Sequence, residues 1–163
     1  MVAEIFNVHF AYKEWQAQLL LNAVRDLPIA LFEESRNSSH GGIKGTLQHM
    51  YGADHVWLNR VQGRSVFRRE DIKVPQTAAE FAEMWTPMLK EWKNWAALVS
   101  DWQAKITYTM FDGTTRSNPL WQIAMHVVNH GTLHGGQVVA MLRQAGIKPP
   151  QTDILFFYRE MDA

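Results

Sequence analysis

Three histidines stand at four-residue intervals: His126, His130 and His134. In a helix each such step advances about 40° around the axis, so the three imidazoles share one face and neighbouring rings come close enough to share an ion. An imidazole buried without a partner is costly. Three in register therefore point either to metal binding and catalysis or to separately satisfied core histidines, and the stripe alone leaves that open. A metal also needs ligands beyond one helix, and in a bundle these come from facing helices. Another helical stretch carries His49 and His55. His49 shares a face with Gly52, Ala53 and Val56, which is the more core-like side, whereas His55, beside Asp54, reads as exposed or at the edge of an interface. The chain has no cysteine, so it has no disulfide or thiolate nucleophile, and any metal must sit among nitrogen and oxygen ligands.

Two metal-enzyme patterns are excluded. A zinc-protease helix needs a glutamate directly after its first histidine as general base; here Val127 follows His126 and Gly131 follows His130. A di-iron bundle needs Glu-x-x-His pairs and more carboxylates.

The histidines require helices to hold them, and the sequence supplies four long ones. The first is predicted over Val8–Leu27, with Phe10, Ala17, Leu20, Leu21 and Val24 near a helical period; it stops at Pro28. A short turn around Ile29–Glu34 and a loop over Glu33–Gly45 follow. The second helix is predicted from Thr46, read as its N-cap, to Gln62, with Gly63 as the C-terminal stop. Arg64–Gln76 reads as irregular. Thr77-Ala78-Ala79-Glu80 is a capping box that opens a third helix running to about Ser100, with a kink or break expected at Pro87. In Lys105–Arg116, Ile106, Tyr108 and Met110 alternate with threonines, and Asp112-Gly113 is a hairpin signal, so a short two-stranded excursion is expected there. Ser117-Asn118-Pro119 opens the fourth helix, with proline at its first position, and it runs to about Ala145. A short helix is expected around Thr152–Glu160. The fold class is all-α, a single four-helix-bundle domain over residues 1–163 with a short β-hairpin before the last long helix.

Lysine plus arginine equals aspartate plus glutamate, at 16 each. That balance argues against a nucleic-acid binder, which needs a basic face; Arg60, Arg64, Arg68 and Arg69 read as a solvated helix end and loop. No apolar run approaches the roughly 20 residues that span a bilayer, and Met1–Phe10 does not resemble a signal peptide, so no membrane association is expected and the default location is the cytoplasm. Trp92 and Trp95, one turn apart, read as core or interface.

The segment His126-Val127-Val128-Asn129-His130-Gly131-Thr132-Leu133-His134-Gly135-Gly136-Gln137 resembles the signature helix of the DinB/YfiT-like proteins. Gly45-Thr46-Leu47-Gln48-His49-Met50 with Trp57-Leu58 resembles that family's second helix. Met141-Leu142-Arg143-Gln144-Ala145-Gly146, Pro149-Pro150 and Asp153-Ile154-Leu155 resemble its closing segment. The resemblance spans essentially the whole chain. It implies a four-helix bundle with a three-histidine site for a divalent metal, often zinc or nickel; an all-imidazole donor set also suits iron or copper. The ligands it implies are His49, His130 and His134, with His126 a neighbour in the core or behind the ligands. Many relatives carry a bulkier residue where Gly135 stands. Adjacent glycines cost about 1 kcal/mol each inside a helix, which suggests close approach of another helix or subunit.

Three histidines leave coordination positions open for water, whose pKa a metal lowers to about 7, or for a thiolate. The implied activity is metal-dependent chemistry on a small molecule, a thiol S-transferase or hydrolase acting with a low-molecular-weight thiol or similar substrate. A non-catalytic metal-binding stress-response protein is the alternative. No catalytic residue is assigned. Gln137 is either a hydrogen-bonding partner of a ligand or substrate, or an ordinary polar helix residue. His9, Tyr12 and Trp15 are candidates to line the substrate pocket, and a homodimer is expected.

Overall fold

Aromatic residues one turn apart lengthen the first helix beyond its expected start. Phe6 stacks on Trp102 at 4.1 Å and Phe10 on Trp92 at 5.2 Å. Those contacts hold the first turns against the core, so α1 spans Val2–Arg25 rather than beginning at Val8. The computed structural model describes residues 2–64 and 68–162. A short α2 (Ile29–Glu33) follows, then α3 (Ile43–Val61), α4 (Ala78–Leu98), the hairpin β1 (Lys105–Thr109) and β2 (Thr115–Pro119), α5 (Leu120–Gln144) and α6 (Ile154–Met161).

Helix ends show where local signals won or lost. Thr77 Oγ1 accepts from the Glu80 amide at 3.2 Å, as a capping box requires, while Glu80 reaches back to the Gln76 amide. Pro87 sits inside α4 without breaking it. The buried face formed by Phe81, Trp85, Leu89 and Trp92 spans that position and holds both halves on the core. Thr46 is not an N-cap. The fully buried Ile43 draws the helix start forward, Gly42 takes the cap position, and the Thr46 hydroxyl donates to the Gly42 carbonyl at 2.7 Å. The hairpin forms with Gly113 at φ 82° in its turn, a conformation glycine adopts without steric penalty. It reaches further than Arg116: Ser117 and Asn118 pair with Thr107 and Ile106, so Pro119 is the N-cap of α5 instead of its first residue.

Helix α1 packs against α4 and α5, and α3 packs against α5, forming the four-helix bundle. Trp85 and Trp92 are among its largest fully buried side chains; Trp95 meets Trp92 edge-on at 5.2 Å. Polar side chains also lie inside this apolar core. Lys13 Nζ of α1 pairs with Asp54 Oδ1 of α3 at 2.9 Å, the two side chains only 3% and 2% exposed, and Trp85 Nε1 donates to Asp54 Oδ2 at 2.9 Å. Burial pushes the Asp54 carboxyl above its ordinary value; Lys13 and Trp85 oppose that. On α5, a Cβ at Gly131 would stand 3.0 Å from Lys13 Nζ, and one at Gly135 3.2 Å from the Gln16 amide. These glycines admit the polar side chains of α1, which accounts for the close approach expected at Gly135. Gly136 meets nothing within 4 Å. Among the described residues no helix is long and apolar enough to cross a membrane.

Removing one member of a buried ion pair strands the other charge, at a cost of about 3–5 kcal/mol. Lys13→Met should therefore lower unfolding free energy by that order in urea titrations, and Lys13→Met/Asp54→Leu should recover most of the loss.

Candidate metal centre

Helices α3 and α5 face each other, so side chains 81 and 85 residues apart in sequence meet. His130 Nε2 lies 2.9 Å from His49 Nε2, and His134 Nε2 lies 3.2 Å from the same atom. The four-residue step places His130 and His134 on adjacent turns of one face, their ring centroids 4.3 Å apart. His134 is 8% exposed; its Nδ1 donates to Gln137 Oε1 at 2.8 Å. That bond puts the proton on Nδ1 and leaves the Nε2 lone pair turned toward His49. Gln137 thus acts on a histidine of the cluster.

A fourth imidazole joins from outside the helices. His40 stacks on His49 at 3.7 Å with the rings 12° from parallel, and nitrogens of His40, His49 and His134 lie within 4.8 Å of one another, close enough to hold a metal ion. His40 lies in the loop expected over Glu33–Gly45, where no helical spacing marks it as a ligand. Its signal was the glycines after it. Gly41 has φ 81°. A Cβ on Gly42 would fall 2.2 Å from the Glu34 carbonyl oxygen, and one on Gly45 would fall 1.9 Å from the His40 carbonyl oxygen. Only glycine lets this loop fold onto the start of α3 and bring His40 over His49.

Burial lowers the His130 pKa to about 3, with the neighbouring His134, His49 and Lys13 adding to the effect. Burial, then His134, lowers His40; burial, then Lys13, lowers His126. Neutral imidazoles with free lone pairs are the form that binds metal.

His40, His49, His126 and His130 open into a cavity of about 580 Å³. Gly52, Ala53 and Val56 line it beside His49, as their shared face predicted. Ile72 and Val74 cover it from the segment before α4, held by a 2.9 Å bond from Gln48 Nε2 to the Pro75 carbonyl. Met110 and Phe111 of the hairpin turn form another wall. His126 lies on the wall, only partly covered, its ring 5.2 Å edge-on to Trp57, and not in the core. His55 is half-buried beside Tyr51.

Two other expectations change. His9 and Tyr12 line a separate groove of about 790 Å³ bounded by α1, α5 and α6. Trp15 donates to Glu160 of α6 at 2.7 Å and is absent from the histidine cavity. The reason is helical phase: the face of α1 that carries Tyr12 turns toward α6, where its hydroxyl donates to the Thr152 carbonyl at 2.8 Å. The arginine cluster also divides. Arg64 and Arg68 are solvated, pairing with Glu91 and Asp71, but Arg60 is buried and lines the histidine cavity; the Arg69 side chain lies outside the described residues.

A bundle that gathers imidazoles from facing helices beside a small cavity defines a protein with a histidine-rich, metal-competent site. The chain belongs to the DinB family, whose model matches residues 1–162. It is 26% identical over 151 residues to Protein DinB of Bacillus subtilis (strain 168), covering 88% of each chain. No solved structure matches it.

Gly→Ala inside a helix ordinarily stabilises by about 1 kcal/mol. At Gly45 the sign should reverse, because the new Cβ meets backbone that cannot yield without moving His40. Urea denaturation of Gly45→Ala should show a lower midpoint.

Proposed function

We propose that His49, His130 and His134 hold one divalent cation, zinc or nickel, and that the adjoining cavity takes a small-molecule substrate for thiol S-transfer or hydrolysis. The convergence of the three Nε2 atoms, at 2.9 and 3.2 Å from His49, carries this reading. Two imidazole nitrogens each about 2.1 Å from one ion stand roughly 3.0–3.4 Å apart between octahedral and tetrahedral angles. Ring attitude favours His130 over His40 as third ligand. Imidazole lone pairs lie in the ring plane. The rings of His130 and His134 are inclined to His49 by 47° and 77°, so their lone pairs can cross at a point. The near-parallel His40 ring aims its lone pairs alongside those of His49.

A bound divalent cation supplies Lewis acidity and lowers the pKa of a ligated water or thiol. Burial keeps the His130 imidazole neutral, Gln137 fixes the His134 tautomer, and apolar side chains wall the open side. The substrate class we favour is a low-molecular-weight thiol, in a cytoplasmic protein. A non-catalytic, metal-binding stress-response role is the second reading. One observation favours it: among the described residues no carboxylate lines the cavity to serve as general base.

Metal analysis of untagged protein purified without chelators should give close to one equivalent of divalent ion. His130→Ala should lose the ion and His40→Ala should keep it; the reverse would move the site to the other triad. Metal-loaded protein should turn over bacillithiol, mycothiol, glutathione or simple esters, and His49→Ala should not. Metal-dependent stability without any turnover would leave the second reading.

We also propose a homodimer. Met125 of α5 and Leu155 and Phe156 of α6 are exposed and line the second groove, and Trp121 of α5 and Met161 of α6 are exposed on the same two helices. Light scattering should give twice the monomer mass, and Met125→Glu should reduce it to one chain.

A further inference from the structure

Arg60 is charged, buried and without a counter-ion. It is 8% exposed, and no carboxylate among the described residues pairs with it. Its Nη2 donates to the Thr109 carbonyl at 3.1 Å, while its buried Nε has no partner. Around the guanidinium stand aromatic rings, with Trp57 and Tyr108 at 4.7 and 4.9 Å from Cζ and Phe111 at 5.8 Å. These contacts fix the fork in place but satisfy none of its directional N–H groups. A buried cation left this way is costly, and burial pulls its pKa below the ordinary value.

Its position gives the cost a use. Among the described residues Arg60 is the one lysine, arginine, aspartate or glutamate lining the histidine cavity. Eleven residues along α3 separate it from His49, about 16 Å of helix rise, and Trp57 and His126 lie between. One cavity therefore has imidazoles at one end and a fixed guanidinium toward the other. A guanidinium fork matches the geometry of a carboxylate or similar oxyanion.

We propose that Arg60 is the anion-binding subsite of this cavity, selecting elongated small molecules that carry a carboxylate or another oxyanion at the end remote from the histidines. The inference rests on reading the cavity as a substrate site, but it does not depend on which ion the histidines hold.

The test uses 4-phenylbutanoate and its neutral amide as matched probes, titrated into full-length protein in metal-free and zinc-loaded form and followed by amide and indole NMR shifts. Metal-free wild type should bind the carboxylate about tenfold or more tighter than the amide, with shifts at the Trp57 indole. Arg60→Met should abolish that preference and leave the zinc content per chain unchanged. Arg60→Lys keeps charge and bulk without the fork; it should show a reduced preference, and it carries the test if the methionine variant does not fold. Equal affinity for the two probes, no binding at millimolar probe, or a preference that survives in Arg60→Met would each overturn the proposal, leaving Arg60 as a clamp between α3 and the hairpin. A preference seen only with zinc and kept in Arg60→Met would place the anion on the metal and overturn it equally. Failure of the metal reading shows separately, as absent zinc in wild type.

Discussion

The ion pair between Lys13 and Asp54, 2.9 Å long and nearly inaccessible to solvent, is the contact on which the rest of the interior depends. It ties α1 to α3 across the bundle, and the glycine stripe of α5 gives it room. Buried pairs of this kind contribute little net stability over apolar side chains of similar size. Their stronger effect is on alternatives. Sliding α3 along its neighbours would leave an ammonium, a carboxylate and the Trp85 indole unpaired in an apolar core. The register so enforced presents His49 to His130 and His134.

The same lysine acts on the histidines electrostatically. Its charge adds to burial in lowering His126 and His130. Lys13 behind the cluster, and a cavity wall with no carboxylate among the described residues, both favour the unprotonated form of His130. Gln137 then sets the tautomer of His134. The cluster is thus prepared for a Lewis acid by three independent devices: burial, a repelling charge and one oriented amide.

Much of this was legible in the residues. The four-residue histidine spacing, the face shared by His49 with Gly52, Ala53 and Val56, the Thr77 cap and the Asp112-Gly113 turn are local patterns, and local patterns survive folding. What escaped were relations between distant segments. His40 carries no periodicity, and only the backbone clashes at Gly42 and Gly45 mark its loop as fixed. Lys13 and Asp54 look like ordinary surface charges until α1 and α3 meet. Arg60 sat in a run of arginines that reads as solvent-facing, and its burial depends on a hairpin built some 50 residues later. Thr46 had the right type for a cap, yet burial of Ile43 outweighed it.

The hairpin between α4 and α5 divides labour within the molecule. The imidazoles sit on bundle helices and the loop clamped against them, where any change disturbs the core. Met110 and Phe111 sit on a two-stranded flap outside that core and still face the same cavity. Its turn can change in length or side chain without repacking a single bundle layer. The histidine cluster and this wall of its cavity are therefore encoded in separable parts of the chain. A lineage built on this plan can keep its histidine cluster while the flap that walls the cavity drifts in length and side chain.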